Sequence, residues 1–207
     1  MGMRQLYEER FQSIVHQTTL QGLNPEVPMQ NPNVEWVEQI PAHWVKKRLK
    51  YVGRQISVAD FLNALGEQQE RTIAINKQTL KATRELAPLF PQEYFFECGN
   101  EVVRHGKWVN GRIRHEAMPA DRHFFILLPE DQFPLYWEFY LNSHFAYNWF
   151  CRELPIGGSW RESRRSDLTL EVLKNLPVFV PPLEEQQAIA THLEQAQQVT
   201  KNILELL

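Results

Sequence analysis

Cysteine is scarce: only Cys98 and Cys151 occur in 207 residues. With no close pair and no secretory signal, they are expected as buried thiols in a reducing cytosol rather than as a disulfide framework. Long apolar runs are missing as well, and nothing approaches the ~20 residues needed to span a bilayer, so a soluble cytoplasmic protein is expected. Positive charge is not in excess. The 22 Lys and Arg against 25 Asp and Glu leave a formal charge of −3, which argues against nonspecific scavenging of nucleic acid. Any DNA contact must therefore come from local basic surface or from a larger assembly. Catalytic signatures are absent too. No GxxxxGK[ST] loop could cradle ATP, no GxGxxG supports a dinucleotide, and no [DNS]PP[YFW] element of amino-methyltransferases is found. The histidines His105, His115 and His123 lack an accompanying Cys pair or an HExxH helix, so they are expected as surface or packing residues, with no metal bound and a metal nuclease the weakest reading.

What is present is concentrated at the two ends. Residues 176–189, LPVFVPPLEEQQAI, run a short apolar strand, a double-proline stop and a helix start together. Pro181 and Pro182 cannot extend a strand ladder but can open a helix, and Glu184 and Glu185 suit its positive end. A heptad follows. Ile189, Leu193, Ala196, Thr200, Ile203 and Leu207 recur at alternating four- and three-residue steps, while Glu184, Glu185, Gln195 and Lys201 lie off the seam, and so narrow a seam calls for a partner helix. At the other end, Met3, Leu6, Tyr7, Phe11, Ile14, Val15 and Thr18 recur at helical spacing over residues 3–19, with Gly22 as a stop. Residues 24–33, with three prolines and three asparagines, are expected as an extended, exposed linker. Trp36, Ile40 and Trp44 then supply packing anchors.

The junction resembles the PPLxEQ junction that ends each target-recognition domain in specificity subunits of type I restriction-modification systems. GLNPEVPM (22–29) and VEWVEQIPAHWVKKRLKYV (34–52) resemble the segment by which that family enters a recognition domain. Gly157 to Ser159 and the spaced Leu170, Leu173 and Leu176 fit the latter half of such a domain, and residues 57–96 fit it poorly. The resemblance implies an α+β globule with a twisted sheet and peripheral helices, flanked by helices of a conserved coiled-coil region. Its parts would be an N-terminal helix (1–22), a linker (23–33), one recognition domain (34–182) and the heptad helix (183–207). Two full recognition domains would need roughly twice this length. The two ends resemble adjacent pieces of one conserved helix, which leaves open a half-subunit completed by a homodimer or a fragment holding one domain.

Between the ends the pattern is mixed. Residues 45–52 alternate, and as a strand they place Lys46, Arg48 and Lys50 on one face and Val45, Lys47, Leu49 and Tyr51 on the other. From about residue 61 to 86 the spacing of Leu62, Leu65, Ile73, Ile75, Leu80 and Leu86 predicts a helix. Asn110-Gly111 is a type I′ turn pair, and the hairpin it predicts pairs Val109 with Arg112, Trp108 with Ile113 and Lys107 with Arg114. Residues 122–128 predict a buried strand and 134–150 one aromatic helix. The loop 153–165 combines glycine freedom with arginine, and Ser166 is placed to cap the short helix that runs to Leu176.

Taken alone, the cationic hairpin face of Lys107, Arg112 and Arg114, with Arg104 beside it, is a solvated strand face. Within the family it becomes a base reader, since a two-stranded ribbon fits the major groove and arginine grips guanine O6 and N7 together. Ser159, Trp160, Arg161, Arg164 and Arg165 are loop candidates for phosphate or base contacts, and Lys46, Arg48 and Lys50 for phosphates. Tyr136, Trp137, Phe139, Tyr140, Phe145 and Tyr147 are read as core rather than as base-stacking rings, because their spacing is helical. Leu6, Ile14, Ile189, Leu193, Ile203 and Leu207 are the partner-helix interface. By resemblance the chain would recognise one half of a bipartite site on double-stranded DNA and catalyse nothing, since neither the translocating nor the methylating subunit is encoded. A methyltransferase subunit, which binds S-adenosylmethionine, and through it a restriction subunit, would be its partners, with no cofactor held here. The rival is a recognition-like protein-interaction module that has lost its DNA contacts, which the negative charge and the poorly matching early half favour.

Overall fold

A computed structural model describes residues 2–57, 60, 69–86, 89, 95–98, 101–104, 107–109, 112–114, 122–154, 156–157, 164–165 and 168–206. For residues 69, 95–114 within those limits, 156–157 and 164–165 the description is of backbone alone. The architecture is α+β. Helix α1 (Met3–Gln21) and the last helix, α5 (Leu183–Glu205), flank a globule whose central sheet is antiparallel.

That sheet has the order β4 (Arg54–Ile56), β11 (His123–Leu127), β5 (Thr72–Asn76), β6 (Ala82–Thr83). The buried strand expected over 122–128 is thus β11, paired on both sides, with Phe125 opposite Ile56 and Ala74. The helix expected over 61–86 is not formed where the chain is described. Thr72 through Ile75 are all buried, as in a strand covered on both faces, and the β-branched Thr72, Ile73 and Ile75 suit a pleat. Asn76 then turns the chain: its Oδ1 accepts from the Gln78 and Thr79 N–H groups, each at 2.9 Å. Leu80 sits at φ 61 and β6 returns. Leu62 and Leu65 lie outside the described residues.

The single aromatic helix expected over 134–150 is two helices, α2 (Pro134–Leu141) and α3 (His144–Glu153). The break has a cause. The Asn142 side chain bridges both backbone groups of Ala82, donating to its carbonyl and accepting from its N–H at 2.9 Å each, and Ser143 Oγ accepts from the Ala146 N–H to cap α3. The core assignment of the rings holds for Tyr136, Trp137, Phe139, Tyr140 and Phe145, while Tyr147 is exposed. The short helix α4 (Leu170–Asn175) is capped by Thr169, whose hydroxyl accepts from Val172, so the cap is not Ser166, which lies outside the described residues.

Strand β14 (Pro177–Val180) leads through Pro181 and Pro182 into α5, as the sequence requires. All four β14 residues are buried. One edge pairs with β3 (Val45–Arg48); on the other side Tyr136 and Tyr140 hydroxyls donate to the Phe179 and Pro177 carbonyls at 3.2 and 3.4 Å, and the Phe179 N–H donates to Tyr140 Oη at 3.3 Å. Burial drives both phenols well above the usual tyrosine range, so they stay protonated and available as donors. Gln186, fully buried at the start of α5, accepts from the Phe133 N–H and donates to Gln132 Oε1 and the Pro181 carbonyl. Gln132 in turn accepts from Trp137 Nε1 at 3.1 Å. A polar cluster that closed can sit in a core without an unmade bond.

Helices α1 and α5 run antiparallel: Arg4 near the start of α1 donates to the Leu204 carbonyl near the end of α5. Gly22, at φ 75, ends α1 against the start of α5, where a Cβ would lie 3.0 Å from Glu185 Oε1 and 3.3 Å from the Trp44 ring. Glu185 Oε2 receives Trp44 Nε1 at 3.1 Å and His43 Nε2 at 2.8 Å, so the carboxylate expected at a helix start also ties residues 43–44 to α5. One hydrophobic core includes Val15 and Leu20 of α1, Trp44, the aromatic helices, β14 and Ile189, Ala190 and Leu193 of α5. The residues expected as a bare linker contain β1 (Met29–Gln30), paired with β2 (Ile40–Pro41). Trp36, expected to anchor the core beside Ile40 and Trp44, instead stands 48% exposed.

Candidate nucleic-acid interface

The ribbon of β3 and β14 positions the first group of cations. Its register sets Lys47 opposite Val178 and Lys46 opposite Phe179. All four β3 residues are exposed. A strand lying at an edge, with cations along it, resists pairing with another chain, and it leaves those cations free for a different partner. The strand expected through Val52 stops at Arg48: the Leu49 N–H turns inward to the Leu176 carbonyl at 2.9 Å, Leu49 is buried, and Leu49–Tyr51 forms a 3₁₀ turn. Lys50 therefore leaves the strand and is not on a common strand face with Lys46 and Arg48.

Lys46, Arg48 and Lys50 are each held by something neutral. Lys46 Nζ donates to the Pro32 and Asn33 carbonyls at 2.7 and 3.3 Å. Arg48 Nη1 donates to Asn175 Oδ1 at 3.0 Å, and Lys50 Nζ lies 5.1 Å from the centre of the Tyr51 ring. Carbonyls, amides and rings orient a cation without cancelling its charge, whereas a carboxylate would do both. Lys46, Lys47, Arg48, Lys50, Tyr51 and Arg152 share the wall of a cavity of 1110 Å³. Beyond Tyr51 a second cavity of 690 Å³ carries Lys50, Arg54, Arg71 and Lys174 over an apolar floor that includes Leu128 and Leu173. Among the lining residues of this second cavity there is no Asp or Glu, although Arg71 reaches Glu130 outside it at 3.4 Å.

On the far wall of the first cavity, Arg152 of α3 pairs with the Glu35 carboxylate and lies 4.7 Å over the Trp36 ring. Lys47, Trp36 and Arg152 are functional candidates that the sequence reading missed. Strand alternation places Lys47 on the opposite face from Lys46 and Arg48, and Arg152 lies 117 residues from Glu35, a pairing no local spacing shows.

The second group of cations is placed by backbone. Strands β9 (Lys107–Val109) and β10 (Arg112–Arg114) pair in the expected register, Arg112 with Val109, Ile113 with Trp108 and Arg114 with Lys107. Asn110 and Gly111 lie outside the described residues. Arg104 ends β8 (Glu101–Arg104), opposite Phe95 of β7 (Phe95–Cys98). In the arginine loop, β13 (Arg164–Arg165) pairs with β12 (Ile156–Gly157), and Ser159, Trp160 and Arg161 lie outside the described residues. Of the histidines, His123 is on β11, 3.2 Å from the Asn76 amide, and His105 and His115 lie outside the described residues. No cluster able to hold a metal occurs among the described residues.

The partner-helix residues divide. Ile189 and Leu193 have no exposed surface and are covered by the chain's own core, so they are not open to a partner. Ile14 and Ile203 are half-buried, Leu6 is 59% exposed, and Leu207 lies outside the described residues. No helix among the described residues is long and apolar enough to cross a membrane.

Residues 133–207 match the family model of the type I restriction modification DNA specificity domain. The matched stretch opens on the aromatic helices, contains β14 and the double proline, and ends along α5, so it holds the junction on which the resemblance rests. No curated protein matches the chain.

Proposed function

We propose that this chain recognises one half of a bipartite DNA target and directs partner methyltransferase and restriction subunits to it. The observation that carries the proposal is the match of residues 133–207 to the type I restriction modification DNA specificity domain, a targeting module without chemistry of its own. The rest of the reading is physical. The cations of β3 would hold phosphates, and Arg112 and Arg114 of the β9–β10 ribbon would read base edges. S-adenosylmethionine would be bound by the methyltransferase partner. The helices α1 and α5 would face that partner, or a second copy, through their outer ends, where Met3, Leu6, Val199 and Leu206 are exposed.

Affinity should depend on assembly. The formal charge is −3, and each basic patch neutralises only a few phosphates, so counterion release from one domain is small at physiological salt. A methyltransferase clamp or a second copy would make the second half-site an effectively intramolecular event. The test is the map of methylated motifs in cells with and without the gene: loss of one bipartite motif is expected, and an unchanged map would overturn the proposal. Within the reconstituted complex, Arg112→Ala and Arg114→Ala should each cost about 1–3 kcal/mol at particular base positions. The negative charge favours a second reading, a recognition-like module acting only through protein contacts, and it predicts no salt-dependent DNA binding in any assembly.

A further inference from the structure

A tryptophan at positive φ is uncommon, because a bulky side chain in the left-handed region crowds its own backbone. Trp36 is at φ 67, in a tight turn closed by the Val34–Val37 bridge and the Val37 N–H donating to the Val34 carbonyl at 3.1 Å. Val37 is buried and Val34 half-buried, so the two valines anchor the turn while the indole is left outside. Burial does not account for the strain, since the ring is 48% exposed. Backbone strain that the core does not need is a mark of a displayed functional group.

The turn is tied to the cationic strand. Lys46 donates to the Pro32 and Asn33 carbonyls at its base, Asn33 itself is at φ 51, and Arg152 holds the indole from one side while Glu35 neutralises that guanidinium. Lys47 and Lys50, both exposed, have no carboxylate partner within ion-pair distance among the described residues. Tyr51, 69% exposed, lies beside Lys50. An acidic protein needs only the cations. The cavity wall sets the five cations Lys46, Lys47, Arg48, Lys50 and Arg152 against Glu35, Glu153 and Glu171. A surplus of cations with a displayed aromatic ring at Arg152 fits a polyanion that also offers flat apolar surface, which is nucleic acid.

We propose that Trp36, Lys47 and Lys50 form one edge of the DNA interface, the lysines on successive phosphates of the duplex and the indole against the sugar and base edges beside them. Lys46, besides the phosphate contact proposed for β3, fixes the turn, and Arg152 is a positioning residue that fixes the ring. The proposal rests on the DNA-recognition reading and adds to it a contact surface outside the matched stretch 133–207.

The test is fluorescence anisotropy of the full chain with labelled duplex, single-stranded DNA and poly-glutamate, from about 50 mM salt upward, where few phosphate contacts suffice for binding. The Lys47→Glu, Lys50→Glu double variant should weaken every duplex about tenfold or more and reduce the salt slope by about 2. Trp36→Gly should weaken duplex binding several-fold with the salt slope kept, while the melting temperature holds or rises, because glycine accepts positive φ without strain. Parallel loss of melting temperature and binding in Trp36→Gly would make the ring merely structural and overturn the proposal. So would wild-type affinity in both variants, preference for single strands, or binding of poly-glutamate in place of duplex. These outcomes leave the methylated-motif map untouched, and only a change-free map after gene removal would overturn the reading beneath.

Discussion

The two strands of the β3–β14 ribbon share their hydrogen bonds and almost nothing else. Pro177–Val180 is wholly buried and Val45–Arg48 wholly exposed, although Val178 and Lys47 are direct neighbours across the ladder. On β14 the backbone finds partners on both sides, from β3 and from tyrosine hydroxyls, and the side chains enter the aromatic core. On β3 three of the four side chains are cations, and Lys46 and Arg48 are steered by neutral acceptors. The difference shows how one ribbon can be divided between folding and recognition: stability is concentrated on one strand, so the other is free to carry charge that packing does not need.

The sharpest way to break this comparison is at Phe179, fully buried with its ring 5.7 Å from that of Phe145. Phe179→Ala should cost about 3–5 kcal/mol in denaturant unfolding, from lost burial and the cavity left behind. A cost under 1 kcal/mol would mean that β14 is not where stability is concentrated. Next is Gln186→Ala, which leaves the Phe133 N–H and the Pro181 carbonyl without their buried partner and should cost about 1–3 kcal/mol. Gln186→Glu, similar in shape but without the donors, should not restore stability. Lys47→Ala, directly across from Val178, should change unfolding free energy by less than about 0.5 kcal/mol. A larger loss there would show that β3 also carries the fold.

The smallest effect concerns where α1 meets the globule. His16 has a buried Nδ1 without a hydrogen-bond partner among the described residues and lies 6.3 Å from the His144 ring of α3. Its pKa is lowered, first by burial and then by the neighbouring imidazole. A histidine harder to protonate when folded binds fewer protons than the unfolded chain, so its contribution is present above about pH 6.5 and is lost as pH falls below that value. Unfolding should therefore occur more readily at pH 5.5 than at pH 7.5, and His16→Phe should flatten that slope; an unchanged slope would remove His16 as its cause.

The ends of the chain were legible because their signals are local. Helix spacing over α1, the stop at Gly22, the double proline and the heptad each act within a few residues, and steric and capping forces are short-ranged. The hairpin register followed equally from one turn pair and the pleat. Where reading failed, the deciding partner was distant. Ile73 and Ile75 fit a helical spacing, but pairing with β11 made them strand; Asn142 broke the aromatic helix to cap Ala82, 60 residues away. Trp36 fits the spacing of an anchor, but in the fold its ring stays 48% exposed with the Arg152 guanidinium over it.

Local pattern by itself determined the helical ends and the strand-proline-helix junction. Tertiary structure decided which half of the heptad seam is used up by the chain's own core, which cations stay free of carboxylates, and that an indole is displayed at positive φ. The physical reason is range. Propensity, capping and turn chemistry are fixed by neighbours in sequence, whereas burial and charge compensation are properties of neighbours in space, and those exist only once the chain has closed on itself.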